Sequence, residues 1–183
     1  MKKHFIIILI VLVIIATSCL TVEKKTYTFN INKDGSVTLT IDYYNIISTE
    51  DDEKDVSLTD FSSLISDYYE GDKLNNDYPE GEIVEKKLFE KDGVLCGKVV
   101  INFPNTDMAN IRQYKDQGPL MYYLGSFSET YETSNGEYMG TGFPVIFWDE
   151  KEKNLTFSTI VTTDLSTAHS LLSYYKTWKE NSN

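Results

Sequence analysis

Arginine is nearly missing from this chain. Arg112 is the only one in 183 residues, and 28 acidic residues face 17 basic ones, for a net charge of −11. Nucleic-acid binding needs a basic footprint to neutralise phosphates, and this surface does not supply one. Cysteine and histidine are also scarce: Cys19, Cys96, His4 and His169 are all there is. That supply is too thin for a disulfide framework or for a zinc site of the usual thiolate and imidazole type. No apolar run reaches the roughly 20 residues that a membrane-crossing helix requires. The longest, Phe5 to Ile15, has 11.

That run has a different meaning. Lys2 and Lys3 precede it, and Ala16, Thr17, Ser18 and Cys19 follow it. A basic start, a short apolar stretch and small residues form a signal peptide over residues 1–18. The cysteine after the small residues resembles a bacterial lipobox, with Ala16 where the pattern usually has Leu. Cys19 is therefore the expected lipidation site, anchoring the protein to a membrane through acyl chains, which hold firmly when there are two or more. Leu20 in place of Asp points to the outer membrane or cell surface, on the periplasmic or extracellular face. Residues 19–183 then carry 15 basic and 28 acidic residues, a net charge of −13, leaving the acyl anchor to provide membrane affinity.

Residues 19–25 read as a tether and residues 26–183 as a single domain. Tyr27, Phe29 and Ile31, then Val37, Leu39, Ile41 and Tyr43, alternate with polar residues around Lys33-Asp34-Gly35, which predicts a hairpin. Phe61, Leu64, Ile65, Tyr68 and Tyr69 follow helical spacing, with Ser57 or Thr59 as cap and Gly71 as terminator. A turn-rich connection spans residues 72–81. Asp92-Gly93 predicts a second hairpin, whose second strand carries Leu95, Val99, Ile101 and Phe103 on one face. Asn135-Gly136 predicts a third, because Asn-Gly suits a type I′ turn. Leu155, Phe157, Thr159 and Val161 mark another strand. Leu165, Ala168, Leu172 and Tyr175 predict a closing helix, capped by Thr163 or Asp164. Residues 104–118 fit either a short helix or a loop. The expected class is α+β, a mostly antiparallel β-sheet built from hairpins with about two amphipathic helices packed on one face.

The strand–Asp34-Gly35-Ser36–strand opening, the helix after it, and the block GEIVEKKLFEKDG–LCGKVVINF over residues 81–103 resemble the LppM-like bacterial lipoproteins. The resemblance covers Tyr27 to Phe103. It implies an α+β envelope domain and carries no catalytic residues.

The candidate chemistry is thin. Glu50, Asp51, Asp52, Glu53 and Asp55 lack the spacing of an EF-hand loop, and the same holds for Asp67, Asp72 and Asp77. His169 has no G-x-S-x-G partner, and Gly140–Pro144 has neither the lysine nor the helix of a phosphate cradle. No metal or other cofactor is implied. The tyrosines stand out, with doublets at Tyr43-Tyr44, Tyr68-Tyr69, Tyr122-Tyr123 and Tyr174-Tyr175. Tyrosine has an apolar body and a polar tip, which suits half-wet pocket rims. The expected site is a cleft between sheet and helices lined by Tyr68, Tyr69, Tyr122, Tyr123, Phe147 and Trp148. The expected function is a non-enzymatic, lipid-anchored cell-envelope protein that binds an apolar or lipid-like ligand. The alternative is an envelope protein that docks a protein partner through an aromatic patch or sheet edge, and a carboxylate hydrolase ranks third.

Overall fold

The period-two pattern around Lys33-Asp34-Gly35 generates a ribbon longer than its apolar positions suggest. The computed structural model describes residues 19–115, 117–125 and 129–182; the expected signal peptide lies outside them. Strands β1 (Leu20–Ile31) and β2 (Val37–Thr49) pair antiparallel from Leu20↔Ser48 to Ile31↔Val37. In the turn, the Asp34 carboxylate accepts from the Ser36 amide at 3.0 Å and its hydroxyl at 2.7 Å, while Gly35 takes φ +87°. Residues 20–25 are thus not a tether but the first half of β1. Val22 is buried there, and the Cys19 carbonyl accepts from the Thr49 amide at 3.0 Å.

Strands β3 (Glu82–Lys91) and β4 (Val94–Phe103) turn at Asp92-Gly93, both with positive φ, as a type I′ hairpin requires. The remaining strands are β5 (Arg112–Gln113), β6 (Leu120–Tyr123), β7 (Thr130–Ser134), β8 (Glu137–Tyr138), β9 (Val145–Trp148), β10 (Asn154–Ile160) and β11 (Ala168–Ser170). A large antiparallel sheet runs β3-β4-β2-β1-β10-β7, and a small one runs β5-β6-β9-β8. Strand β11 takes the stretch of β2 that β4 leaves open, pairing Ala168↔Thr49 to Ser170↔Ile47.

Asn135-Gly136 does not close a hairpin. It carries the chain from β7 in the large sheet to β8 in the small one, because β7 pairs with β10 and β8 with β9. The Asn135 side chain ties this corner together. Its carbonyl oxygen accepts from Trp148 Nε1 at 2.7 Å and the Thr156 amide at 2.8 Å, and its amide donates to the Asn154 carbonyl at 2.7 Å. A Cβ at position 136 would sit 2.6 Å from Trp148 Nε1, so only glycine lets the indole close over the corner.

The first helical stretch is α1 (Ser57–Ser63) running into a π-helical segment (Leu64–Tyr69), where the Glu70 amide donates to the Ile65 carbonyl at 2.8 Å. Neither Ser57 nor Thr59 caps it. Val56 occupies the cap position, and Asp55 accepts from the Ser57 amide at 2.9 Å. The connection that follows contains a short helix, α2 (Lys73–Asp77). Residues 104–111 make turns that bury Ala109 and Ile111 before β5. The closing helix is shorter than its apolar stripe predicts: α3 spans Leu172–Asn181. Asp164 turns the chain through Ser166 at 2.6 Å instead of capping a helix, Leu165 is exposed, and Ala168 and His169 join β11. The unpaired end of β2 offers this segment ladder hydrogen bonds, and they override its helical periodicity.

Two apolar clusters result. Phe29, Leu39, Ile41, Ile101 and Phe157 of the large sheet pack on Ile111, Leu120, Ile146 and Trp148 of the small sheet and its approach. Val22, Ile46 and Leu95 pack on Phe61, Leu64 and Ile65 of the helical stretch and on Leu171 and Tyr175 at α3. Each fully buried large side chain contributes about 1.5–3 kcal/mol.

The Asn135 corner yields a stability prediction. Asn135→Ala removes three hydrogen bonds, two of them from donors it leaves behind, and is expected to cost about 2–4 kcal/mol. Urea unfolding against wild type measures this, and a loss under 1 kcal/mol would refute the assignment of the corner to that side chain.

Candidate functional site

The pleat of β2 places Tyr43 on the same face as Ile41. Regular alternation would then send Ile46 to the opposite face. Instead the ladder skips Glu23 and Asn45, Asn45 takes φ +55°, and its amide donates to Glu23 at 2.8 Å. The alternation resets there. A Cβ placed on Gly97, which lies opposite Tyr43, would meet Ile46 Cδ1 at 3.1 Å, so Ile46 shares the face of Tyr43. One continuous face therefore meets the small sheet at one end and the helices at the other.

Between the two clusters lies a cavity of about 320 Å³. Its floor is Tyr43, Ile46, Leu88, Gly97 and Val99, and Leu64, Tyr68, Tyr69 and Leu74 form the helical wall. Leu20, Val22 and Val161 make one end apolar; Lys25, Lys86, Asp77 and Tyr78 lie in the polar part. Glycine at 97 keeps the floor open, since any side chain there would rise into the space. The π-helical segment adds a residue per turn, and its two tyrosines diverge: Tyr69 meets Trp178 edge-on at 5.5 Å, while Tyr68 packs against both clusters.

A charged network adjoins the cavity. The Glu129 carboxylate accepts from the Lys25 ammonium at 2.6 Å, from Thr159 Oγ1 at 2.7 Å and from the Tyr27 hydroxyl at 3.2 Å. Burial works to raise the Glu129 carboxyl, but the Lys25 ammonium and the two hydroxyls hold it below its ordinary range. Tyr27, Tyr43, Tyr78 and Tyr122 are all pushed up by burial, with Glu129 adding to each, so their phenols stay protonated and serve as donors.

The six expected ligand-binding residues do not form one site. Tyr68 and Tyr69 line the cavity. Tyr122 is tucked between the sheets, 5.1 Å from Phe157 and 5.4 Å from Phe29. Tyr123 is 61 % exposed and shares a separate groove with Phe143. Phe147 meets Tyr114 edge-on at 6.4 Å, and Trp148 is buried at the Asn135 corner. Those four lie on the small sheet, which sequence order does not separate from the large one. Leu88 and Gly97, which face each other across the β3–β4 ladder, complete the cavity; the sequence expectation does not include them, and its one signal for them is a Gly in an otherwise apolar strand, a mark of close approach.

His169 lies on β11, not mid-helix, with Nε2 3.3 Å from Glu50 and Nδ1 3.5 Å from Asp55. Cys96 is buried, and burial pushes its thiol up, against the direction a nucleophilic cysteine requires. Among the described residues, no group of three or more His, Cys, Asp or Glu side chains is placed to hold a metal ion, and no helix is long and apolar enough to cross a membrane. No protein-family model matches the chain, and neither the curated proteins nor the solved structures contain a significant match.

Glu129 generates a pH prediction. A carboxyl held low in the folded state contributes stability that is fully present above its unfolded value and is lost as pH falls through the folded value. Glu129→Gln is expected to cost about 1–3 kcal/mol at neutral pH, the worth of its charge-assisted hydrogen bonds. The gap to wild type should narrow as pH drops below about 4.5, the ordinary glutamate value. Chemical denaturation at a series of pH values checks this, and a gap constant down to the acid limit would contradict it.

Proposed function

We propose that this protein is a lipid-anchored, non-enzymatic component of the cell envelope that holds an apolar, lipid-like ligand in the cavity between the large sheet and the π-helical segment. The observation that carries the reading is the cavity itself: about 320 Å³, at the small end of ligand sites, and walled mainly by aliphatic and tyrosine side chains. Its apolar end supports the reading further. Leu20, which lines it, follows Cys19 directly, and β1 begins there with no spacer. An acyl group on Cys19 would hold that end of the domain close to the bilayer, where apolar ligands are found.

A second reading draws on Tyr123 and Phe143, which are 61 % and 55 % exposed along one groove of the small sheet and would suit an envelope protein docked through an aromatic patch.

Binding of the neutral probe N-phenyl-1-naphthylamine, followed by fluorescence, separates the two. Gly97→Val fills the floor against the flexible end of Ile46, and Leu88→Trp fills it from the edge strand. Each is expected to weaken probe binding about tenfold, the loss of roughly 1.4 kcal/mol of contact. Tyr123→Ser should leave it unchanged. Binding that survives both filling variants but falls with Tyr123→Ser would move the site to the small sheet and overturn the cavity reading.

A further inference from the structure

The cavity is not uniformly apolar, and its polar part has donors without protein acceptors. Tyr43, Tyr68 and Tyr78 line it, and among the described residues their hydroxyls meet no hydrogen-bond partner. No buried side-chain polar atom lacks a partner among those residues, so these hydroxyls are open to whatever enters. Burial raises the phenols of Tyr43 and Tyr78, which makes them donors rather than anions.

Lys86 adds a cation to that array. Its ammonium donates to the Gly71 carbonyl at 2.7 Å and, among the described residues, has no carboxylate within ion-pair distance. An ammonium carries three donors, so two remain. The other charges near the cavity are either matched or exposed. Lys25 pairs with Glu129 at 2.6 Å, Lys98 with Asp42 at 3.6 Å, and the Lys87 ammonium sits 5.9 Å from the centre of the Phe89 ring. Asp77 is exposed to solvent, which weakens its charge, although it still helps raise the phenols of Tyr43 and Tyr78. A half-buried lysine with no carboxylate partner, at the cavity of a chain with net charge −11, runs against the composition.

We infer that the ligand is a single-chain anionic amphiphile, its carboxylate or phosphate head held by Lys86 with the hydroxyls of Tyr43, Tyr68 and Tyr78. The chain lies along Val99, Leu88 and Ile46 towards Leu20. The volume suits one alkyl chain and not two. This rests on the cavity reading above and adds its chemistry: head charge, chain number and direction, with the tail towards Cys19.

The test is calorimetric titration of the purified protein, below micellar concentration, with dodecanoate, dodecyl phosphate and dodecanol, which share a chain and differ in the head. At least one anion is expected to bind about tenfold more tightly than dodecanol, the worth of one charge-assisted hydrogen bond. Which anion binds better distinguishes a carboxylate head from a phosphate head. Lys86→Met keeps the aliphatic stem; it should bring the preferred anion to the affinity of dodecanol and leave dodecanol unchanged, while Lys86→Arg should keep the preference. Equal binding of all three compounds, or an anion preference that survives Lys86→Met, would overturn the head assignment and leave the cavity reading standing. If none of the three binds, and N-phenyl-1-naphthylamine does not either, the cavity reading falls with it.

Discussion

The ribbon of β1 and β2 is the constraint on which the other elements depend. Its ladder runs from Leu20↔Ser48 to Ile31↔Val37 and is broken only at Glu23 and Asn45. A two-residue period would put the outer half of each strand on the wrong face. Asn45, in the left-handed region and bonded to Glu23, resets the period, so that one sheet face serves two different layers. Asparagine tolerates that conformation better than most residues because its short polar side chain bonds locally. With the reset, Ile46 and Val22 reach the helices while Phe29, Leu39 and Ile41 reach the small sheet.

The cavity follows from this division. Two covering layers of different kinds, a four-stranded sheet and a helical stretch, meet the same face without meeting each other in a close-packed seam. Tyr43 and Tyr68 are the side chains that belong to both clusters. Tyrosine serves there because its ring packs and its hydroxyl tolerates a wet neighbour. Glycine at 97 and the widened π-helical turn leave the seam unfilled. An aliphatic side chain at 97 would have completed the core at the expense of the space. The Glu129 network closes the polar side, where Lys25, Thr159 and Tyr27 satisfy a half-buried carboxylate.

Local chemistry made much of the architecture legible in the sequence. The alternation on both sides of Lys33-Asp34-Gly35, the type I′ turn at Asp92-Gly93, the buried face of Leu95, Val99, Ile101 and Phe103, and the run from Phe61 to Tyr69 are all found where spacing places them. So is the α+β class, with its antiparallel sheets. Of the expected binding residues, only Tyr68 and Tyr69 reach the cavity. The others stand on the small sheet, since alternation reports that a strand has two faces and not which sheet the strand joins.

Amino-acid order alone determined most of the short-range features: the two hairpins at Asp34-Gly35 and Asp92-Gly93, the coil from Phe61 to Tyr69, and the acidic surface. Tertiary structure decided everything that depends on long-range pairing. Asn135-Gly136 has the chemistry of a hairpin turn, yet it links two sheets because β7 found β10 and β8 found β9. Residues 168–170 have helical spacing, yet they extend because β2 outruns β4 and leaves ladder groups open. Turn propensity and periodicity are properties of a few neighbouring residues. Hydrogen-bond partners and cavities are set by segments brought together across the chain, where backbone satisfaction and burial outweigh local preference.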